Sequence, residues 1–273
     1  MKKLLIIFLL LSVKLFSQTP EEMLKLGDDS FMNGKPAEAV DYYTQYIRIY
    51  KDSANAYTSR ANAYTMMRDY KMAMVDFNTA LFFNPNLSRA YSGRGAVYYF
   101  IGNTQEAVND LNKSIGLDPA QTLSYQTLAS IYTSEKKYSD AMNVIDRAII
   151  QNPDDSENYR IKGTIYYYMN DMASSFPFLD KAIELAPGKS RNYTTRGAYY
   201  KDINELDKAM ADYNKALELN PGDAEALARK GIVLLLQKKY KEAVEFMEKG
   251  LALDPSMKEN IKQYLDEAKA NSK

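Results

Sequence analysis

An all-α solenoid of stacked helix hairpins is the fold this sequence predicts, and three observations carry it. The first is length. Seven segments of 34 residues, beginning at Pro20, Ala54, Ser88, Thr122, Ser156, Ser190 and Ala224, follow one another without insertion or deletion. Self-similarity at such a period marks a chain built from one repeated supersecondary unit. The second is an alternation of large and minimal side chains: the fourth place of each segment holds Met23, Tyr57, Tyr91, Tyr125, Tyr159, Tyr193 and Leu227, and the eighth holds Gly27, Ala61, Gly95, Ala129, Gly163, Gly197 and Gly231. The third is punctuation, with Pro85, Pro119, Pro153, Pro187, Pro221 and Pro255 at the thirty-second place.

Each element follows from these places. The small residue at place eight of a first helix faces the alanine at place twenty of a second, Ala39, Ala73, Ala107, Ala141, Ala209 or Ala243. Without bulk at either place the two amphipathic helices approach closely. Tyrosines at places four, eleven and seventeen then fill the core beside the contact, among them Tyr64, Tyr98, Tyr132, Tyr166 and Tyr200 at place eleven. Proline at place thirty-two has no N–H with which to continue a helix and biases its predecessor out of the α region, so each unit ends there. One hairpin cannot bury its apolar face alone, and stacking is obligatory. The units are therefore 20–53, 54–87, 88–121, 122–155, 156–189, 190–223 and 224–257, giving fourteen antiparallel helices. Repeat five is irregular, with Ser175 at place twenty and Pro177 close behind, which predicts a kink or a late helix start. Residues 258–273 close the array as a capping helix, whose stripe of Ile261, Tyr264, Leu265 and Ala268 suits the apolar run Val233–Leu236 of repeat seven.

The amino end reads Met-Lys-Lys, then the apolar stretch from Leu4 to Val13, then Lys14-Leu-Phe-Ser-Gln. This has the form of a secretory signal peptide spanning 1–17, with cleavage after Ser17, although Leu15 departs from the small-residue rule for the minus-three position. The apolar stretch falls well short of the ~20 residues a permanent span needs, so no stable membrane span is expected after cleavage; an uncleaved anchor is the alternative. Removing Lys2, Lys3 and Lys14 from 35 basic residues leaves 32 against 35 acidic, a net charge of −3. No basic stripe is visible, and nucleic acid is not an expected partner. Histidine and cysteine are both absent. That removes the commonest general base, the commonest metal ligand and the thiolate nucleophile together. The acidic pairs Asp28-Asp29 and Asp154-Asp155 sit where repeats turn or begin. No catalytic residue, metal ligand or cofactor is expected.

The pattern across residues 20–257 resembles the tetratricopeptide repeat (TPR) family. In that family the first helices line a concave surface through places two, five, nine, twelve and thirteen. The resemblance thus directs attention to Asn55, Thr58, Asn62, Thr65 and Met66 in repeat two, and to Arg89, Ser92, Ala96, Tyr99 and Phe100 in repeat three. Repeat four offers Leu123, Gln126, Ser130, Thr133 and Ser134, repeat five Glu157, Arg160, Thr164, Tyr167 and Tyr168, and repeat six Arg191, Thr194, Ala198, Lys201 and Asp202. The lysine–asparagine pair with which some TPR domains clamp a carboxyl-terminal peptide is missing: places five and nine read Thr58/Asn62, Ser92/Ala96, Gln126/Ser130 and Arg160/Thr164. The candidate partner-binding residues are Arg89, Tyr99, Phe100, Gln126, Arg160, Tyr167, Tyr168 and Arg191, because aromatic and arginine side chains anchor interfaces.

Places seven and twenty-three change together: Arg60, Arg94 and Arg196 accompany Asp76, Asp110 and Asp212, Leu26 and Leu128 accompany Tyr42 and Val144, and Lys162 and Lys230 accompany Phe178 and Phe246. Co-variation among the repeats predicts that these places touch, as half-exposed ion pairs adding about 0–1 kcal/mol each or as lysine stems laid along rings. The expected function is a non-enzymatic, exported scaffold of the cell envelope that binds a protein or extended peptide on its concave face. An envelope-glycan module and a structural subunit contacting through second helices are the alternatives. Protein recovered from the producing cell should begin at Gln18, within a residue or two, by intact mass; recovery of Met1 would overturn the cleavage assignment.

Overall fold

The structure, a computed structural model, describes residues 19–272, so the signal peptide expected over 1–17 lies outside it. Among the described residues there are fifteen α-helices and no strand. They are α1 (Pro20–Met32), α2 (Pro36–Ile49), α3 (Ala54–Met66), α4 (Tyr70–Phe83), α5 (Ser88–Phe100), α6 (Thr104–Leu117), α7 (Thr122–Ser134), α8 (Tyr138–Gln151), α9 (Ser156–Tyr168), α10 (Met172–Leu185), α11 (Ser190–Asp202), α12 (Leu206–Leu219), α13 (Ala224–Leu236), α14 (Tyr240–Leu253) and α15 (Lys258–Asn271). Every first helix occupies places 1–13 of its repeat and every second helix places 17–30. The chain divides into two compact units, one ending at Ile131 and one beginning at Tyr132, within α7. In each unit consecutive hairpins stack side by side.

The turn inside each hairpin is the same seven times. Place fifteen has a positive φ in Gly34, Arg68, Gly102, Lys136, Asn170, Asn204 and Lys238. The following N–H donates back to the carbonyl at place eleven, as in Asp69 N to Tyr64 O and Asp171 N to Tyr166 O. This is the six-to-one closure of a helix end by a left-handed residue. Aspartates at place sixteen then cap the next helix where they occur: Asp69 accepts from Met72 N and Asp171 from Ser174 N.

Packing within the hairpin turns on a place the sequence did not advertise. Place twenty-four holds Tyr43, Phe77, Leu111, Ile145, Leu179, Tyr213 and Met247, and all seven side chains are almost fully buried. Each glycine at place eight makes room for that residue. A Cβ on Gly163 would stand 2.9 Å from Leu179 Cγ and 3.0 Å from the Ser175 carbonyl oxygen. Tyrosines at places four and eleven, expected as core, are mostly half-buried; Tyr125 and Tyr193 are the fully buried ones at those two places. The reason is their neighbour at place seven. The Arg60 guanidinium lies over the Tyr57 and Tyr64 rings at 5.6 and 6.0 Å, and Arg94 and Arg196 lie likewise over their own flanking pairs.

These arginines reach place twenty-three as predicted, and more tightly. Arg60 donates to both Asp76 oxygens at 2.7 and 2.8 Å, Arg94 to Asp110 at 2.7 and 2.9 Å, and Arg196 to Asp212 at 2.9 and 2.6 Å. The expectation of half-exposure is corrected: the arginine side chains are 14–21% exposed and the aspartates 2–11%. Each guanidinium also donates to place twenty-five of the preceding repeat, Arg60 to Thr44 at 3.0 Å, Arg94 to Asn78 at 2.7 Å and Arg196 to Asp180 at 2.7 Å. Lys162 makes the same link to Asp146 at 2.6 Å while its ammonium lies 4.6 Å from the Phe178 ring centre. Lys230 lies 4.2 Å from Phe246.

Repeat five departs from expectation. Helix α10 begins at Met172, in step with every other second helix, so there is no late start. Pro177 deprives the Ala173 carbonyl of its helical partner, but both residues are exposed and water can serve that oxygen. Ser175 turns its hydroxyl across the hairpin to the Gly163 carbonyl at 2.8 Å. The cap behaves as read: Ile261, Leu265 and Ala268 are buried against Ile232, Leu234, Leu235 and Met247, and Lys269 pairs with Glu248 at 2.7 Å. Tyr264 instead stays 37% exposed.

Gly163→Leu is expected to cost about 1–3 kcal/mol through overpacking, whereas Gly188→Ala, with open space around its added methyl, should stay within about 0.5 kcal/mol of wild type; urea melts of the two variants make the comparison. Asp110→Ala leaves the Arg94 guanidinium largely buried without its carboxylate, and the loss should reach about 2–4 kcal/mol, well above the surface-pair range, in the same assay.

Candidate functional site

The surface able to take a partner is set by which places of the first helices reach solvent. Place thirteen is exposed in every repeat, and place two in all but the half-buried Glu157. Place five is mostly covered: Thr58 and Ser92 are each 1% exposed, Gln126 9%, Thr194 2% and Ala228 2%. The side chain at place five points toward the adjoining helix, so Gln126 leaves a partner little area.

In the first unit, Arg89 extends along the face and donates to Asn55 at 3.1 Å, joining place two of neighbouring repeats. Phe100 is 58% exposed; its ring stacks on Tyr70 at 5.7 Å and tilts against Tyr99 at 6.3 Å. Met66 is also exposed. Threonines that could have offered hydroxyls turn them inward, Thr58 to the Ala54 carbonyl and Thr65 to that of Ala61, each at 2.8 Å.

The second unit holds a denser arrangement. Tyr167 stacks on Tyr199 with centroids 3.8 Å apart and planes within 7°. The Tyr167 hydroxyl donates to Asp202 Oδ2 at 2.6 Å, and the Tyr199 hydroxyl to Thr164 Oγ1 at 3.0 Å. Tyr168 stands edge-on to Tyr167 at 5.3 Å with 57% of its surface exposed. Arg160, 13% exposed, is engaged by Glu157 of its own first turn through two hydrogen bonds of 2.5 and 3.1 Å. Burial alone would raise the Glu157 carboxyl, but the bonds and charge of Arg160, with Arg191 and Lys189 behind, hold it below the usual carboxylate range. Burial pushes the Tyr199 hydroxyl up to about 12. Burial and then the bond to Asp202 raise Tyr167. The Tyr167 and Tyr199 phenols are therefore uncharged near neutral pH. Arg191 is exposed at place two.

Of the residues singled out from sequence, Arg160, Tyr167 and Tyr168 share one patch with Glu157 and Asp202; Arg89 stands apart from the Tyr99–Phe100 pair within the first unit. Tyr199 was missed because place ten is an ordinary packing place, and only its 35-residue offset from Thr164 links it to the face. A cavity of about 430 Å³ was missed as well. It is bordered by Lys201, Glu225, Arg229, Asp254, Asn260 and Tyr264, where α15 packs against α13. Arg229 is tied there to Glu225 at 2.8 Å. Among the described residues no group of histidine, cysteine or carboxylate side chains is placed to hold a metal ion, and no helix is long and apolar enough to cross a membrane.

The hairpins are those of a known repeat. Family models described as tetratricopeptide repeat match residues 23–53, residues 88–121 and 157–189, and residues 194–258, together more than half of the chain. No curated protein matches the chain in sequence. Solved structures do match in fold. A tetratricopeptide repeat protein from Parabacteroides merdae is 18% identical with a TM-score of 0.70, over 91% of this chain and 98% of that one. Yeast Tom70 is 16% identical with a TM-score of 0.68, over 94% of this chain and 65% of that one. Pseudomonas aeruginosa pilF is 16% identical with a TM-score of 0.58, over 75% and 93%. Identities this low speak to fold alone. The invariant hairpin geometry and the family matches agree: the chain belongs to the tetratricopeptide repeat family.

Proposed function

We propose that the protein is a non-catalytic interaction scaffold, exported to the cell envelope, that seats a protein or an extended peptide on its first-helix face. Its fold supports the scaffold role, and the basic and apolar residues of its first seventeen positions support export. The observation that carries the peptide reading is the aromatic shelf of repeats five and six. Tyr168 presents an exposed ring whose support is already rigid, because Tyr167 beneath it is fixed by the Tyr199 stack and the Asp202 bond. An anchor ordered before binding loses little entropy on contact, and a tyrosine offers ring area with a polar tip. Exposed Arg191 adds a planar donor on the same face.

The test is to pass envelope extract of the producing cell over immobilised protein and compare variants. Tyr168→Ala and Arg191→Ala, which touch exposed groups only, should weaken the captured partner by about 2 kcal/mol or more in combination, with melting temperature unchanged. Tyr167 is left intact because its removal would dismantle the shelf. Loss of capture on changing Lys113 and Arg147 of the second helices, with the Tyr168 and Arg191 variants still binding, overturns the first-helix reading.

A further inference from the structure

Helix α4 carries a solvent face unlike that of any other second helix. Places nineteen, twenty-two, twenty-six and twenty-nine fall on one side of these helices at spacings of three, four and three, a single stripe. In the other six second helices the stripe contains at least one charge, for example Glu38, Glu106, Asp140, Lys181, Lys208 and Glu242. In α4 it reads Met72, Val75, Thr79 and Phe82. Met72 is 37% exposed, Val75 52% and Phe82 79%. Thr79 donates its hydroxyl to the Val75 carbonyl at 2.8 Å, which satisfies the polar end of the side chain within the helix. The far end of the stripe is stiff: Phe82 meets Phe83 edge-on at 5.4 Å, and Phe83 stacks on Tyr57 at 5.9 Å. The other repeats show what the scaffold requires at these places, and it does not require apolar residues.

We propose that the α4 stripe is the contact by which two copies of this chain pair, antiparallel about a two-fold axis near its centre. Charge supplies the choice of occupant. The last turn of α4 has no base, and at its other end the capping Asp69 is joined by a cation in the first turn, where the helix's own dipole disfavours one. Its exposed first-turn charge is Lys71. An antiparallel copy brings each Lys71 to the other's helix C-terminus, where carbonyl oxygens carry the partial negative charge a lysine prefers. The same arrangement sets Met72 against Phe82 of the second copy and the small Val75 and Thr79 at the crossing, so one patch complements itself as a two-fold interface demands. The contact is independent of the first-helix face and leaves it open to a partner.

The chain has no cysteine, so single introduced thiols report on the pairing without background. Sedimentation or light scattering at micromolar concentration should give twice the mass of one chain, falling to one for Val75→Glu with helical content and melting temperature unchanged. Under mild oxidation, a mixture of Val75→Cys and Thr79→Cys proteins should cross-link, while Lys113→Cys on the equivalent face of α6 should not. A wild-type protein that stays monomeric throughout this range overturns the proposal, as does a dimer that Val75→Glu leaves intact. Monomers that sediment with phosphatidylcholine vesicles through the same stripe overturn it in favour of a lipid surface.

Discussion

In repeats two, three, five and six the cation at place seven is the interaction on which stacking leans, while repeats one and four hold Leu26 and Leu128 there. It does three things at once: it binds the carboxylate or ring at place twenty-three of its own hairpin, it reaches place twenty-five of the hairpin before, and its flanking tyrosines screen it from water. An isolated surface pair adds little because two mobile side chains must be held for one weak attraction. Here the guanidinium is fixed by a fork of bonds, so the ordering cost is shared among several contacts. Because each repeat touches only its neighbours, a link from one to the next is the unit in which stability accumulates. Where arginine gives way to Lys162, the link persists in another form, an ammonium on a ring with Asp146 beyond.

Much of this was legible because the chain is its own alignment. Seven copies of one pattern exposed helix bounds, the close approach at place eight and the pairing of places seven and twenty-three. What one repeat does to the next was harder to see. Thr44, Asn78 and Asp180 share an acceptor role without sharing a residue type, so place twenty-five shows no pattern until the donor's geometry is known. Place twenty-four varies from Tyr43 to Ile145, since its constraint is filled volume and many side chains can meet it. Tyrosine counts misled for a related reason: the rings at places four and eleven serve a charge as much as a core. Pro177 does not delay the start of its helix, because a missing hydrogen bond costs little when its carbonyl faces water.

The candidate surface was legible in outline and not in detail. Family resemblance pointed to the first-helix face, and place two and place thirteen do reach solvent. Burial of place five depends on how closely adjoining helices sit, which no single position announces. The same holds for Arg160, which a reader of sequence sees as a donor looking outward, while Glu157 three residues earlier has already taken it. Tyr168 and Phe100, by contrast, are exposed aromatic rings at the same place of different repeats, and that kind of regularity is what a repeated sequence records best.

The left-handed turn residue at place fifteen has one more implication. Glycine occupies that conformation in only two repeats, while Arg68, Lys136 and Lys238 hold it with full side chains at φ near 60°. A branched Cα in this region carries roughly 1–2 kcal/mol of steric cost, against about 0.5–1 kcal/mol of extra chain entropy that glycine would forfeit on folding. The array therefore carries conformational strain in at least three of its seven hinges, and it carries the same strain at the same vertex each time. Such a molecule has headroom: it sits below the stability its own architecture permits, and the distance can be closed one hinge at a time without touching either face proposed to meet other molecules.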